Sequence, residues 1–356
     1  MARLIAFYLP QYHPIPENDR WWGTGFTEWT NTGKARPLFP GHYQPHVPAD
    51  LGYYDLRVPE TRVAQAVMAR DTGIEAFCYY HYWFAGKRIL ERPLNEVVRS
   101  GEPDYPFCLC WANQTWTGIW HGSPNKILIE QTYPGEADYR AHFRELLPLF
   151  RDNRYLKVDG KPLFVVYRPG DIPDPLGFTR FWQQLARESG LPGLHLVATI
   201  HGRRTWDFRR HGFDAAVMQY LPPLRSAGYV SWRSPFRKLR HLYQERTGKP
   251  TVYRYGDVML DMLPDAGGDA ALYPCLIPNW DNTPRSGKNG LVLHDSSPEL
   301  FRIQLRRALD LTARVPDDQA VVFIKSWNEW AEGNYLEPDL RFGKAYLDVI
   351  REEIYS

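Results

Sequence analysis

The chain has 356 residues, 44% of them apolar, with a formal net charge of +2, enough for one large domain or two ordinary ones with a substantial buried core. The near-neutral balance gives no electrostatic reason for nucleic acid as a partner, and no stretch approaches the uninterrupted apolar length of a membrane span. Aromatic residues make up 15%, including 13 Trp and 22 Tyr, so the chain either packs an indole-rich core or offers flat apolar faces to a ligand.

In chain order, the N-terminus MARLIAFYLPQYHP has a short apolar run broken by Pro10. It lacks the longer apolar stretch and small-residue cleavage site of a secretory signal, so a cytoplasmic protein is expected. Strands are predicted at 3–9, 75–84, 107–113, 162–168, 194–200, 215–221, 273–280 and 319–327. Most are near-continuous in apolar, β-branched and aromatic residues, as strands covered on both faces read. Cys78, Cys108, Cys110 and Cys275 all lie in these runs. They show no CxxC or Cys/His ligand spacing, which predicts buried reduced thiols and no metal.

Helical patterns alternate with the strands. Residues 59–73 open on Pro59 and close on Gly73, the expected asymmetry of helix ends. Residues 136–152 place Tyr139, Phe143, Leu146, Leu147 and Phe150 on one face, with Pro148 predicting a kink or early end. Residues 297–314 start with Ser297 as N-cap and Pro298 at the first helical position. Further helices are predicted near 177–189, 234–247 and 342–354. An α/β fold follows, a single (β/α)8 TIM barrel with elaborated βα loops over residues 1–356. The competing doubly wound sheet would place a glycine-rich phosphate loop after strand one, where this chain has LPQYHPIPEN. GTGFTEW (23–29) lacks the third glycine and opens no obvious helix.

In such a barrel the active site lies at the C-terminal ends of the strands. Strand one and its loop bring Tyr8, Gln11, His13, Glu28 and Trp29; strand two brings His81 and Trp83; strand three brings Trp111, Asn113 and Trp116. Strands four to six end at Tyr167, His201 and Tyr220, strand seven at Trp280 and Asp281, and strand eight at Trp327, Asn328, Glu329, Trp330 and Glu332. This is a rim of aromatic, amide and carboxylate groups suited to a polyhydroxylated ligand. Bland roles stand beside that reading. His201 fits a hydrogen-bonded scaffold, Asn113 a turn cap, and Asp281 either an Asx turn or a ligand contact. Glu337, before Pro338, reads as a solvated or salt-bridged loop residue. Glu329 and Glu332 differ, because two carboxylates three residues apart between indoles at a strand end are costly unless solvated or paired. Glycoside cleavage needs such a pair, one group to protonate the departing oxygen and one to supply or assist a nucleophile.

IKSWNEWAEGNYLEPD (324–339) resembles the strand-eight motif of the family-99 glycoside hydrolases, the endo-α-mannosidases and endo-α-mannanases. The chain as a whole resembles still more closely the WbsX-type group, family-99-like barrels encoded among bacterial surface-polysaccharide genes. The matching stretches are FYLPQYHPIPENDRWWGTGFTEW, FCYYHYWFAGKRILERPL, FCLCWANQTWT, GKPLFVVYRP and SWNEWAEGNYLEP. The resemblance implies a retaining mechanism in which the first glutamate, Glu329, acts as base toward the sugar's own 2-hydroxyl. The second, Glu332, then protonates the leaving oxygen and later activates the acceptor. Where the family-99 hydrolases commonly carry a histidine between the glutamates, this chain has Ala331.

A retaining glycoside hydrolase or transglycosylase acting on a bacterial, α-mannoside-like polysaccharide is therefore the first expectation, with neither cofactor nor metal. The alternative is a glycosyltransferase of O-antigen or capsular polysaccharide synthesis, and a third is a non-catalytic glycan-binding barrel. The basic segment 225–249, with Arg233, Arg237, Lys238, Arg240, Arg246 and Lys249 against Glu245, is either a solvated helix face or a surface for an anionic or lipid-linked glycan.

Overall fold

The apolar runs become parallel strands buried on both faces. The structure is a computed structural model that describes residues 2–118, 123–201, 206–221, 246, 249–265 and 269–355. β1 (Arg3–Tyr8) pairs with β2 (Ile74–Phe84), and β3 (Phe107–Trp111), β4 (Lys161–Val166), β5 (His195–Ile200) and β6 (Ala215–Met218) follow in order, each pair parallel. The seventh position, β7, is split about Pro274. Leu272–Tyr273 pairs with β6, and Cys275–Leu276 pairs with β8 (Val321–Ile324), which returns to β1. The result is a nearly closed TIM-like barrel.

Proline has no N–H to give a ladder, yet the Pro274 carbonyl still accepts from Phe323 N at 2.9 Å, so the seam is stitched from one side. The seventh strand, expected to run unbroken over 273–280, stops at Leu276. Beyond Pro278 the chain turns away, and Trp280–Asp281 joins Leu291–His294 and Thr251–Arg254 in a separate three-stranded sheet.

The helices that cover the barrel are α1 (Pro59–Arg70), α2 (Arg92–Ser100), α3 (Glu136–Phe150), α4 (Pro175–Glu188), α5 (Pro298–Thr312) and α6 (Ala345–Tyr355). α1, α2, α4 and α5 begin with proline in the first turn, and Asp174 and Ser297 cap α4 and α5 by accepting from Gly177 N and Leu300 N. α3 runs through Pro148 and ends two residues later; His142 and Leu149 complete its buried face, where Leu147 is only half-buried. Gly73 ends the α1 connection at φ +88°, and a Cβ there would lie 2.9 Å from Ile354 Cγ2 of α6. Glycine is needed for both conformation and space.

Two features differ from expectation. A short helix, Glu28–Gly33, does follow GTGF, capped by Thr27. Pro16–Trp22 and α2 are helices whose patterns were too short to stand out. The helix expected near 234–247 and most of the basic 225–249 segment lie outside the described residues. The four cysteines are buried free thiols. Among the described residues, no helix is long and apolar enough to cross a membrane, and no group of three or more His, Cys, Asp or Glu side chains could hold a metal ion.

Candidate active site

At the C-terminal mouth of the barrel is a cavity of ≈ 220 Å³. One wall carries Arg285, Lys325, Glu329 and Glu332; the others carry Leu9, Gln11, Trp22, Tyr80, Tyr82, Ala112, Tyr167 and the segment Gln114–Thr117 with Leu128. Lys325 continues β8 into the barrel interior and is buried. Its Nζ donates to Glu329 Oε1 at 3.0 Å and to Tyr80 Oη at 3.1 Å, and lies 3.8 Å from Glu332 Oε2. Ser326 Oγ donates to the same Glu329 oxygen at 2.9 Å. Arg285, on the loop after β7, pairs through Nη1 with Glu332 Oε1 at 2.6 Å and donates through Nε to Glu28 Oε2 at 3.1 Å.

Two buried cations thus serve three carboxyls, and a single proton on one carboxyl makes the cluster neutral. Its electrostatics place that proton. Burial alone would raise the Glu329 pKa, but the Lys325 charge, a hydrogen bond from Glu332 and the Arg285 charge outweigh it and hold it at about 2. Burial and the negative Glu329 push Glu332 up to about 7, against the pull of Arg285 and Lys325. Burial also works against the charge on Lys325, yet Glu329 and Glu332 raise its pKa above the ordinary lysine value. The Glu332 side chain keeps 18% exposure and Glu329 only 4%, so Glu332 is the more open of the two carboxyls to the cavity.

Strand parity sorts the residues expected at the rim. Side chains alternate across a strand, so Tyr80 and Tyr82 face the cavity while His81 and Trp83 face α3. His81 contacts His142 Nε2 at 2.8 Å, and Trp83 Nε1 donates to Asp138. Tyr8 likewise points outward, donating to Gln65 of α1, and Trp111 packs against His142 and Phe178. Trp327 packs on Phe77 in the same outer layer. Of the expected set, only Gln11, Trp116, Tyr167, Glu329 and Glu332 line the cavity. Gln11 donates to Tyr82 Oη, and its own Oε1 is a buried acceptor with no partner among the described residues.

The others support the wall or stand apart from it. Asn328 bonds both the N–H and the carbonyl of Leu9, fixing the β8 loop to β1, and Trp280 lies 5.5 Å beneath Lys325 Nζ. Trp29 packs against Trp330 and Tyr12. Glu28 is fully buried behind Arg285. His13 is buried, which pushes its pKa down to about 4 despite nearby Asp55. Asn113 holds the turn after β3, accepting from Arg168 N and donating to Arg168 O. His201 donates to Tyr167 O in a smaller neighbouring cleft, and Tyr220 is buried beyond β6.

Asp281 forms the Asx turn, accepting from Thr283 N at 2.9 Å and Thr283 Oγ1 at 2.6 Å. Its other oxygen accepts from His42 Nε2 at 2.7 Å. His42 Nδ1 accepts from Leu38 N, which fixes the tautomer with its proton on Nε2.

Lys325 and Arg285 were not among the expected site residues. A lysine inside VVFIKSW was the available signal, since a buried lysine needs an anionic partner. Arg285 had no comparable pattern, because a basic residue in a polar loop is ordinary.

Glu337 corrects an expectation. It is buried and accepts from Tyr54 Oη at 2.9 Å, Gln65 Nε2 at 2.6 Å and Trp330 Nε1 at 2.6 Å, while burial pushes its pKa up to about 7. Trp330 is clamped between this carboxyl and Tyr335, whose ring stacks on it at 3.8 Å. Glu337→Ala would strand three buried donors at about 1–3 kcal/mol for an unmet polar group. The expected loss is at least about 2 kcal/mol in urea unfolding; an unchanged midpoint would mean that the clamp adds nothing. Gly333, at φ +55°, closes the acid loop, and a Cβ there would lie 2.8 Å from Asp281 N and Cβ.

With this geometry in place, comparison with known proteins gives a consistent picture. Two proteins named WxcX, uncharacterized, from two strains of Xanthomonas campestris pv. campestris are 42% identical over 355 residues, covering 99% of this chain. The chain spans about half the length of these curated relatives, 50% in each case. Among solved structures, the endo-α-mannosidase of glycoside hydrolase family 99 from Bacteroides thetaiotaomicron has a TM-score of 0.56 at 14% identity, covering 99% of this chain and 96% of its own. A protein described as glycoside hydrolase-like has a TM-score of 0.58 at 13% identity, covering 99% and 93%. These two show the shared fold. The sequence matches the family described as glycosyltransferase WbsX from residue 4 to residue 350, and the chain belongs to that family.

Proposed function

We propose that the protein is a carbohydrate-active enzyme, a retaining glycoside hydrolase or transglycosylase that cleaves an α-mannoside-like bacterial polysaccharide with the sugar's 2-hydroxyl as nucleophile. The observation that carries this reading is the pair Glu329 and Glu332 on a single loop, with Lys325 at 3.0 Å from the first and Arg285 at 2.6 Å from the second, surroundings that hold Glu329 down at about 2 and push Glu332 up to about 7. Two-carboxylate mechanisms with an enzyme nucleophile or a free attacking water place the groups about 5–9.5 Å apart, on opposite faces of the ring. Carboxyls in contact on one wall do not fit that geometry; a nucleophile supplied by the substrate does.

In the first step Glu329 takes the 2-hydroxyl proton as that oxygen bonds to the anomeric carbon. The glycosidic C–O bond breaks, and Glu332 gives its proton to the leaving oxygen. In the second step an acceptor, water or a sugar, gives its proton to Glu332 and opens the three-membered ring, while Glu329 returns its proton to the 2-oxygen. The aromatic walls, Trp22, Trp116, Tyr80, Tyr82 and Tyr167, offer apolar faces and hydroxyls to the sugar. The similarity to the family-99 endo-α-mannosidase supports the mannoside-like preference through fold and motif.

The acid form of Glu332 is the working one, so kcat/KM is expected to be full below pH 7 and to fall about tenfold per pH unit above it. An alkaline limb starting above pH 9 would remove Glu332 from the acid role. The direct test incubates the protein with bacterial surface polysaccharide beside Glu332→Gln and reads the products by mass spectrometry. Oligosaccharides released by the wild type alone support the proposal. The family description, glycosyltransferase WbsX, favours a second reading, transfer from an activated donor during polysaccharide assembly. Chain growth from a nucleotide- or lipid-linked sugar without cleavage would establish it instead.

A further inference from the structure

The mechanism above moves one negative charge from one side of the carboxyl pair to the other. Glu329 gains a proton while Glu332 loses one, so the anion shifts between them and the charge of the cluster does not change. A single group stands between the two positions. Lys325 Nζ is 3.0 Å from Glu329 Oε1 and 3.8 Å from Glu332 Oε2.

The surroundings of Nζ make this a fixed cation. Tyr80 from β2 accepts one of its hydrogens at 3.1 Å, and the Tyr80 and Trp280 rings lie 5.6 and 5.5 Å from it. The side chain is 6% exposed, so water screens it little and its attraction for either carboxylate is stronger than at a surface. The other charged and titratable groups facing the pair have different ties. Arg285 from the β7 loop is anchored to Glu28 on the β1 loop and, of the pair, lies at salt-bridge distance from Glu332, while Tyr167 after β4 contributes a neutral phenol.

We propose that Lys325 is a positioning residue, the shared counter-ion of the pair: it keeps Glu329 ionised in the resting protein, so that the proton resides on Glu332, and it stabilises the charge on Glu332 once that proton has left. The second half rests on the proposed function; the first does not. The cost is basicity. Glu329 becomes a competent base only because the same lysine is relieved of it as the charge arrives on Glu332.

The test reads the carboxyls directly, without a substrate. Protein labelled with ¹³C at the glutamate carboxyls is titrated by NMR, with Glu329→Gln and Glu332→Gln assigning the two signals. In the wild type, Glu332 should titrate near neutrality and Glu329 should stay ionised down to about pH 4. In Lys325→Met, the Glu329 midpoint should rise by at least two pH units; in Lys325→Arg, which keeps the charge, it should stay low. A Lys325→Met titration matching the wild type overturns the proposal. Two ordinary carboxyl titrations in the wild type overturn it too, so a misfolded methionine variant does not protect it. A wild type that shows the expected split, with Lys325→Met shifted as above, but cleaves no glycan would count against the hydrolase reading and leave the resting role of Lys325 standing.

Discussion

Under the proposed mechanism, Glu332→Gln is expected to lower kcat/KM by about 10³-fold with little change in KM, because the amide keeps the shape and the reach to Arg285 but carries no acidic proton to donate. General acid catalysis is commonly worth about 10²–10⁴-fold, and the departing sugar oxygen here has no other protonated carboxyl on the same wall. Glu329→Gln should be at least as damaging, since it removes the proton acceptor for the 2-hydroxyl and leaves Lys325 with Glu332 as its nearest anion. That lysine would then favour the ionised form of Glu332 and draw the proton off the acid as well, so the two losses should not add in the double variant. Either single variant retaining activity within tenfold of the wild type would sink this assignment. Glycan binding measured calorimetrically on the same variants should stay close to that of the wild type, which separates lost chemistry from lost fold.

The second large effect is on stability. Arg285→Met should destabilise the protein by about 3–5 kcal/mol, the usual consequence of breaking a buried pair and leaving one charge behind. Glu28 is 0% exposed and has Arg285 as its cationic partner, so it cannot turn to water when the guanidinium is removed. Adding Glu28→Gln should recover a substantial part of the loss, because a neutral side chain has less to lose by burial. Urea unfolding of the two single variants and the double variant gives the coupling between them. A loss below about 1 kcal/mol for Arg285→Met would show that Glu28 finds compensation elsewhere.

The barrel was readable because its strands are near-continuous apolar runs separated by capped amphipathic helices, and each of those signals is local. The break in β7 was not read, although Pro274 and Pro278 both lie within 273–280, and only the pairing shows that the strand serves both neighbours across its proline. At the site, the E-x-x-E pair was legible from its cost: carboxyls and indoles do not gather at a strand end for packing. The rim residues were over-counted. His81, Trp83, Trp111 and Trp327 sit at strand ends but on the outward parity, and alternation along FCYYHYWF would have separated Tyr80 and Tyr82 from them once either face was fixed. Much of the tryptophan is structural, with Trp111, Trp182, Trp327 and Trp330 among the largest fully buried side chains. Glu337 and Arg285 were beyond reach for another reason. Their partners lie up to 283 residues away in sequence, as in the Tyr54–Glu337 contact, and nothing short-range announces them.

Two of the cavity's walls have separate origins. Lys325, Glu329 and Glu332 come from the end of β8 with Arg285 from the β7 loop, whereas Gln114–Thr117 and Leu128 come from the excursion between β3 and α3. The first wall is locked by buried ion pairs, the Trp330 clamp and a glycine that tolerates no Cβ. The second is an antiparallel hairpin, Trp116–Gly118 against Ser123–Ile129, whose register already slips twice. Constraint and latitude are thus inherited separately in this chain. Drift in the hairpin would change which ligand the cavity admits while the carboxyl cluster stays the same, and a lineage could shift its specificity without rebuilding its charged wall.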